Sequence, residues 1–311
     1  MIFQRHPGGP ILSREHVSNF PPEIVDASSV FNPGVALWRG KTLALLRVQT
    51  RGRHTFLLRA SSEDGVNFEI EAQPIKFTGI EAVTETIHHI YDARITVIDD
   101  EILVCFAMDL DEGCRLGMAR SSDFEHFEFI GMSDDDLRNG VLFPERIGGR
   151  YARLERLNEL QDNLAGGGDA IRLAYSDDLL NWEIEGDLFQ GRPRFWDERI
   201  GSGPPPVKTA QGWLHIYHGV ATHFAAASLY QAGVVLLDLE DPSKVIARGR
   251  DNILEPRETW ELAGQVPGVV FPTGLILRGE VVDLYYGAAD TCIGLARSSL
   301  DTLIQACRIG E

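Results

Sequence analysis

Short runs rich in Val, Ile, Leu, Phe and Tyr alternate along this chain with turns of Gly, Asp and Ser, and apolar positions at helical spacing are scarce. This is the pattern of an all-β protein made of many short strands. The runs also repeat. A strand followed by Ser, acidic residues and an aromatic appears as LLRASSEDGVNFE (Leu57–Glu69), GMARSSDFEHFE (Gly117–Glu128) and RLAYSDDLLNWE (Arg172–Glu183). It returns more remotely as VVLLDLEDPSKVI (Val234–Ile246) and GLARSSLDTLI (Gly294–Ile304). Ser61, Ser121, Ser176, Asp238 and Ser298 mark five copies about 55–62 residues apart.

A pair of strands joined by a Gly- or Asp-containing turn precedes each copy, as in FNPGVALWRGKTLALLRV or YDARITVIDDEILVCFAMD. Each unit thus supplies a meander of around four strands, and such units bury their faces by packing radially. The expected fold is all-β, a five-bladed β-propeller. Residues 1–311 are read as one catalytic domain, with 1–20 as an N-terminal arm or a ring-closing segment.

The stretch IYDARITV (Ile90–Val97) sets polar residues into an otherwise apolar strand. Strict alternation points Asp92 and Arg94 the same way. Asn32 opens the first unit as Asp92 opens the second, and Arg47, Asp109, Arg156, His218 and Asp290 fall where the second strand of each unit ends. One such residue is an ordinary strand end in water. Five in register point to a shared site at one end of the central channel, with Arg138, Asn139, Arg199 and Tyr230 as further candidates.

Charge narrows the chemistry. The formal net charge is −17, from 29 Lys and Arg against 46 Asp and Glu. A generally acidic surface with no basic run argues against nucleic acid. Several arginines gathered at one cleft of such a chain call for an anion, because their forked heads match phosphate or carboxylate oxygens. Glycosidases ordinarily use two carboxylates. An attacking group that is already an anion makes the base dispensable, so one acid plus an arginine nest suggests phosphorolysis. Asp92 is the candidate acid; burial beside Tyr91 would favour its protonated form and nearby arginines its charged form.

Other features read more plainly. His88–His89 lacks a third ligand at fixed spacing and reads as a loop pair, and Asp134–Asp136 reads as a solvated turn. AGGGD (Ala165–Asp169) is not followed by the Lys-Ser/Thr of a phosphate loop and reads as a flexible insertion over the cleft. Trp182, Trp196 and Trp213 are candidates for stacking on sugars, with core packing the better account of Trp182. Cys105, Cys114, Cys292 and Cys307 show no CxxC pairing and read as reduced core thiols. The opening MIFQRHPGGP has no apolar core of a signal peptide, and no apolar run is long enough to span a bilayer, so a cytoplasmic protein without membrane partners is expected.

The chain resembles glycoside hydrolase family 130, the β-mannoside phosphorylases, and within it the branch acting on mannosylglucose and β-1,4-mannooligosaccharides. The motifs FNPGV, YDARITVID, LRNGVLFPERIGGRYARLER, RIGSGPPPVKT, WLHIYHGV, YQAGVVLLDLEDPSKVI and YYGAADT carry the resemblance from about Asn32 to Asp290. It implies a five-bladed propeller that cleaves a β-mannosidic bond with inversion, giving α-mannose 1-phosphate and a released sugar. Inorganic phosphate is then a co-substrate, with no metal and no organic cofactor. Asp92 matches the family's acid, which donates its proton through the mannose 3-hydroxyl. Arg138, Asn139, Arg156, Arg199 and Tyr230 match phosphate-side residues, and Asn32, Arg47, Tyr91 and Asp290 match the mannose subsite. Arg94, Asp109 and His218 are placed with the substrate by their positions in the repeat.

The chain departs from the family at Ala93, where Pro is usual, and at Arg199, where the family has Lys. RVQ after the first arginine strand and Leu157-Asn158 after LER also differ, and both lie toward the leaving sugar. Two rival readings are a β-mannosidase, with Glu85, Asp109 or Asp290 as base, and a sugar-binding propeller without catalysis. Homo-oligomers are common in the family, and the strands leave that open.

Overall fold

The computed structural model describes residues 2–158, 170–221 and 228–308, and the Ala165–Asp169 insertion lies outside them. Five antiparallel sheets follow one another along the chain. Blade one is Ala27–Trp38, Lys41–Thr50, Thr55–Ser62 and Glu69–Pro74; blade two is His89–Ile98, Glu101–Leu110, Gly113–Ser121 and Phe127–Met132, with Phe77–Thr78 added in parallel outside. Blade three is Leu137–Leu142, Tyr151–Leu157, Ala170–Ser176 and Glu183–Gln190. In blade four, Arg199–Ser202 and Val207–Thr209 both pair with Gly212–Ala221, followed by Leu229–Leu237 and Val245–Arg248. Blade five is Val270–Arg278, Val281–Ala288 and Cys292–Ser299, and its outer strand is Gln4–Arg5, in register Gln4↔Arg297. The arrangement is a five-bladed β-propeller, as the repeat predicts.

The apolar runs are long because each blade is covered on both faces by its neighbours. Leu45, Leu57, Ile95 and Phe106 fill the space between blades one and two, Leu103, Met118, Leu137 and Leu142 that between two and three. Trp213, Tyr217, Leu154 and Leu173 join three to four; Val234, Leu236, Leu284 and Tyr286 join four to five. Val35, Leu46, Tyr285 and Leu295 complete the circle. Trp213 is wholly buried here, and all four cysteines are buried and free.

The repeated Ser-acid-aromatic segment is the outer hairpin turn. Ser121 Oγ accepts from Phe124 N at 2.9 Å while Asp123 Oδ1 accepts from Glu125 N and His126 N. Ser176 and Asp178 repeat this, as do Ser62 and Asp64. Short polar side chains satisfy the turn's amides and fix its shape. The serine of the first copy is therefore Ser62, one residue after the Ser61 that the repeat suggested. In the fifth copy Ser299 Oγ instead accepts from Thr302 N, and the chain enters the helix Leu300–Arg308 rather than a fourth strand.

Bulges in the inner strands aim the site. Register shifts occur at Phe31/Gly34, Tyr91/Arg94, Arg138/Val141 and Pro272/Gly274. The first three carry Asn32, Asp92 and Asn139 at φ of 47°, 54° and 55°. Asn and Asp tolerate this left-handed conformation, and an inserted residue re-aims its side chain. Asn32 and Asp92 consequently sit within their strands, Ala27–Trp38 and His89–Ile98, not at the openings where the comparison of units puts them. In blade four the sequence Gly203-Pro204-Pro205-Pro206 interrupts the inner strand altogether, since proline cannot donate to the ladder.

Candidate active site

The bulged residues and the ends of the second strands open into one cavity of about 380 Å³. Asn32, Arg47, Tyr91, Asp92, Asp109, Arg138, Asn139, Arg156, His218, Tyr230 and Asp290 all line it. This is within the usual size of a small-molecule site.

Asp92 is held through a single oxygen. Asn32 Nδ2 and Arg47 Nη1 each donate to its Oδ1 at 2.9 Å. Arg47 is itself clamped between aromatic faces, 4.5 Å from the Phe31 ring centre and 4.4 Å from that of Tyr91. The stacking holds the guanidinium in one plane, so it meets Asp92 with little freedom left to lose. Tyr91 in turn donates through its hydroxyl to Asp109 Oδ1 at 2.7 Å, and Arg138 Nη2 reaches the same oxygen at 3.4 Å. Asp109 is thereby engaged, which disfavours it as a free base.

A cationic side of the site adjoins. Arg156 Nε donates to Asn139 Oδ1 at 2.9 Å, and Arg138 Nε is buried without a hydrogen-bond partner. Asn32 Oδ1 and Arg47 Nε are buried and unpartnered as well. Burial raises the Tyr230 hydroxyl pKa, aided by the charge of Asp290, while Arg156, Arg199 and Arg138 oppose the rise. Tyr230 thus remains a neutral donor among guanidiniums. His218 packs against Phe271 at 4.6 Å between ring centres, and burial pushes its pKa well below the usual value, leaving the ring neutral. Burial pushes the Asp290 carboxyl up to about 6, with Arg47 lowering it and Asp92 raising it.

Two sequence candidates lie outside the lining. Arg94 is 1% exposed; its Nη1 donates to the Asp92 carbonyl and its Nε to the Gly203 carbonyl, each at 2.9 Å. Because of the bulge it does not share a face with Asp92. It braces the Asp92 backbone against blade four from beneath the cavity. Arg199 is exposed at the strand start and acts on Tyr230 through its charge. Glu85, Trp182, Trp196 and Trp213 do not line the cavity, and His88 turns to Asp111 while its neighbour His89 faces in. Lining residues that sequence reasoning missed include Arg53, Thr55, His89, Phe106, Leu116, Val266, Val269 and Phe271, while Gln49, the last residue of RVQ, also lines the cavity. Phe271 stands just before the bulge of blade five, a position the repeat alignment could have flagged; Arg53 and Thr55 belong to a hairpin end with no motif.

The profile of glycoside hydrolase family 130, described as beta-1,4-mannooligosaccharide phosphorylase, matches residues 3–309. A 1,2-beta-oligomannan phosphorylase of Thermoanaerobacter sp. (strain X514) is 34% identical over 87% of this chain and 90% of its own. The beta-1,4-mannooligosaccharide phosphorylase of Ruminococcus albus is 29% identical over 97% and 90%. Among solved structures, a beta-1,2-mannobiose phosphorylase from Listeria innocua in complex with beta-1,2-mannobiose superposes with a TM-score of 0.87 at 26% identity, covering 99% of this chain and 100% of that one. With the bulged propeller and its cavity, these matches establish that the chain belongs to glycoside hydrolase family 130.

Proposed function

We propose that the cavity binds a β-mannoside and inorganic phosphate and transfers the mannosyl group to phosphate with inversion. The observation that carries this reading is the pairing, in one cavity, of a carboxylate held through one oxygen by Asn32 and Arg47 with the guanidiniums of Arg138 and Arg156. A phosphate oxygen attacks the anomeric carbon on the face opposite the glycosidic oxygen, and the bond to that oxygen breaks. Asp92 supplies the proton the leaving oxygen needs, relayed through the mannose 3-hydroxyl. The products are α-mannose 1-phosphate and a free sugar. Arg47 and Asn32 stabilise the carboxylate left behind, and the arginines neutralise the phosphate as it approaches. Arg138, Asn139, Arg156 and Tyr230, with Arg199 at the edge, form the phosphate side. Asn32, Arg47, Tyr91, Asp109, His218 and Asp290 face the sugar, and the reaction draws on no metal or organic cofactor.

For the linkage, similarity supports β-1,2: the oligomannan enzyme is 34% identical against 29% for the β-1,4 enzyme, and the mannobiose-bound structure covers nearly the whole chain. The second reading is the β-1,4 linkage that the sequence motifs suggest, supported by the family profile's description. The test is synthetic. α-Mannose 1-phosphate is incubated with mannose, β-1,2-mannobiose, β-1,4-mannobiose, glucose or N-acetylglucosamine, and phosphate release is followed. Release with mannose or mannobiose and an NMR-assigned β-1,2 product is expected. A β-1,4 product would transfer the assignment to the second reading, whereas phosphate-independent hydrolysis of mannobiose would replace phosphorolysis by the mannosidase reading.

A further inference from the structure

Part of the cavity wall hangs on a buried ion pair far from the reacting groups. Glu261, on the four-residue helix Thr259–Leu262, is wholly buried. Arg5 of the outer strand of blade five grips it with both arms, Nε to Oε1 at 2.7 Å and Nη2 to Oε2 at 2.8 Å. The Tyr286 hydroxyl donates to Oε1 at 2.8 Å, and the amides of Arg257 and Glu258 donate to Oε2 at 2.8 and 3.0 Å. The carboxylate therefore has five donors, and its residue cannot shift without breaking several of them together.

The backbone of the same residue continues the connection. The Glu261 carbonyl accepts from Gly268 N and Val269 N, both at 3.1 Å. Gly268 O then accepts from Tyr230 N at 3.0 Å, while Val269 O accepts from Ala289 N and Ala289 O from Val266 N, each at 3.1 Å. Val266 and Val269 line the cavity, Tyr230 stands among its arginines, and Ala289 precedes Asp290. Gly268 adopts φ of +74°, and a Cβ there would stand 2.7 Å from Leu229 Cδ2, so the connecting turn has little room to rearrange.

We propose that Arg5 and Glu261 are positioning residues for this site: their ion pair sets the place of the 266–269 wall and, through it, of Tyr230 and Asp290. The outer strand of blade five thus bears on phosphate affinity without touching a ligand. A small displacement of groups that orient a reactant is costly even when its origin is remote. The role in turnover rests on the phosphorolysis proposed above; the coupling to the wall does not.

The experiment compares wild type with Arg5→Ala and Arg5→Lys. It reads amide hydrogen exchange by residue, thermal midpoint, and KM for phosphate and mannoside with kcat. Faster exchange is expected at 257–258, 266–269, Tyr230 and Ala289 but not in blades one to three, with phosphate KM raised about tenfold in Arg5→Ala, kcat within about threefold, and a smaller effect in Arg5→Lys. Should Arg5→Ala not fold, the lysine variant, which keeps the charge and loses the fork, carries the same readings. Unchanged exchange at 266–269, or exchange and kinetics that worsen uniformly across all five blades, would overturn the proposal. Wild type that turns over no mannoside would refute the function instead, while the exchange pattern and phosphate binding by calorimetry would still decide the coupling.

Discussion

Asp290 gives the most quantitative prediction, because its perturbation comes with a sign and a size. Burial raises its pKa from 3.8 to about 6. Between those values the folded protein holds a proton that the unfolded chain has released, so stability falls as pH rises through that window. At about 1.36 kcal/mol for each pH unit between the two values, the full cost is ~3 kcal/mol above pH 6. Part of the side chain meets cavity water, which reduces the expected figure to about 1–2 kcal/mol. Asp290→Asn keeps the shape and removes the charge. Relative to wild type it should be nearly neutral at pH 4 and more stable by about 1–2 kcal/mol at pH 7.5, as the ionised carboxylate is no longer forced into the site. Urea unfolding of both proteins at pH 4, 5, 6 and 7.5, followed by tryptophan fluorescence, measures the difference and cancels carboxylates common to both. A difference independent of pH, or one in which wild type gains on the variant as pH rises, would show that burial does not penalise the ionised Asp290 carboxylate.

Three further perturbations test the site. Asp92→Asn should lower kcat by about 10²–10⁴-fold while phosphate still binds, and near-normal turnover would remove Asp92 from the acid's role. Arg156→Ala should raise the phosphate KM by about 10- to 100-fold, the worth of a charge-assisted hydrogen bond, with much less change in the mannoside KM; equal effects on both would count against a phosphate-side arginine. In Gly287→Ala the added Cβ would stand 1.8 Å from Asn32 Oδ1. Overpacking of this kind costs about 1–3 kcal/mol, and because Asn32 must move away from Asp92, kcat should drop by more than the loss of stability accounts for. A variant with wild-type kcat would show that the Asn32 contact is dispensable.

Much of this protein was legible in its sequence. The repeated segments give the blade count because their turns are local structures: the hydrogen bonds run between residues two and three apart, as at Asp123, Asp178 and Asp238. The second-strand residues Arg47, Asp109, Arg156 and His218 could be aligned by the same repeat, and the cavity contains all four.

What the sequence could not determine depends on contacts between blades. Arg94 alternates with Asp92 on paper, but the register shift between Tyr91 and Arg94 sends it to the Gly203 carbonyl of blade four. The fifth motif contains no fourth strand; that strand is Gln4–Arg5, nearly 300 residues away in the chain. Val266 and Val269 look like any loop valines until Glu261, Arg5 and Tyr230 are seen to hold them. Local periodicity encodes strands and turns because their hydrogen bonds close within a few residues. A bulge, a ring closure and a wall held by a distant ion pair are decided by packing between parts of the chain whose separation leaves no period to read.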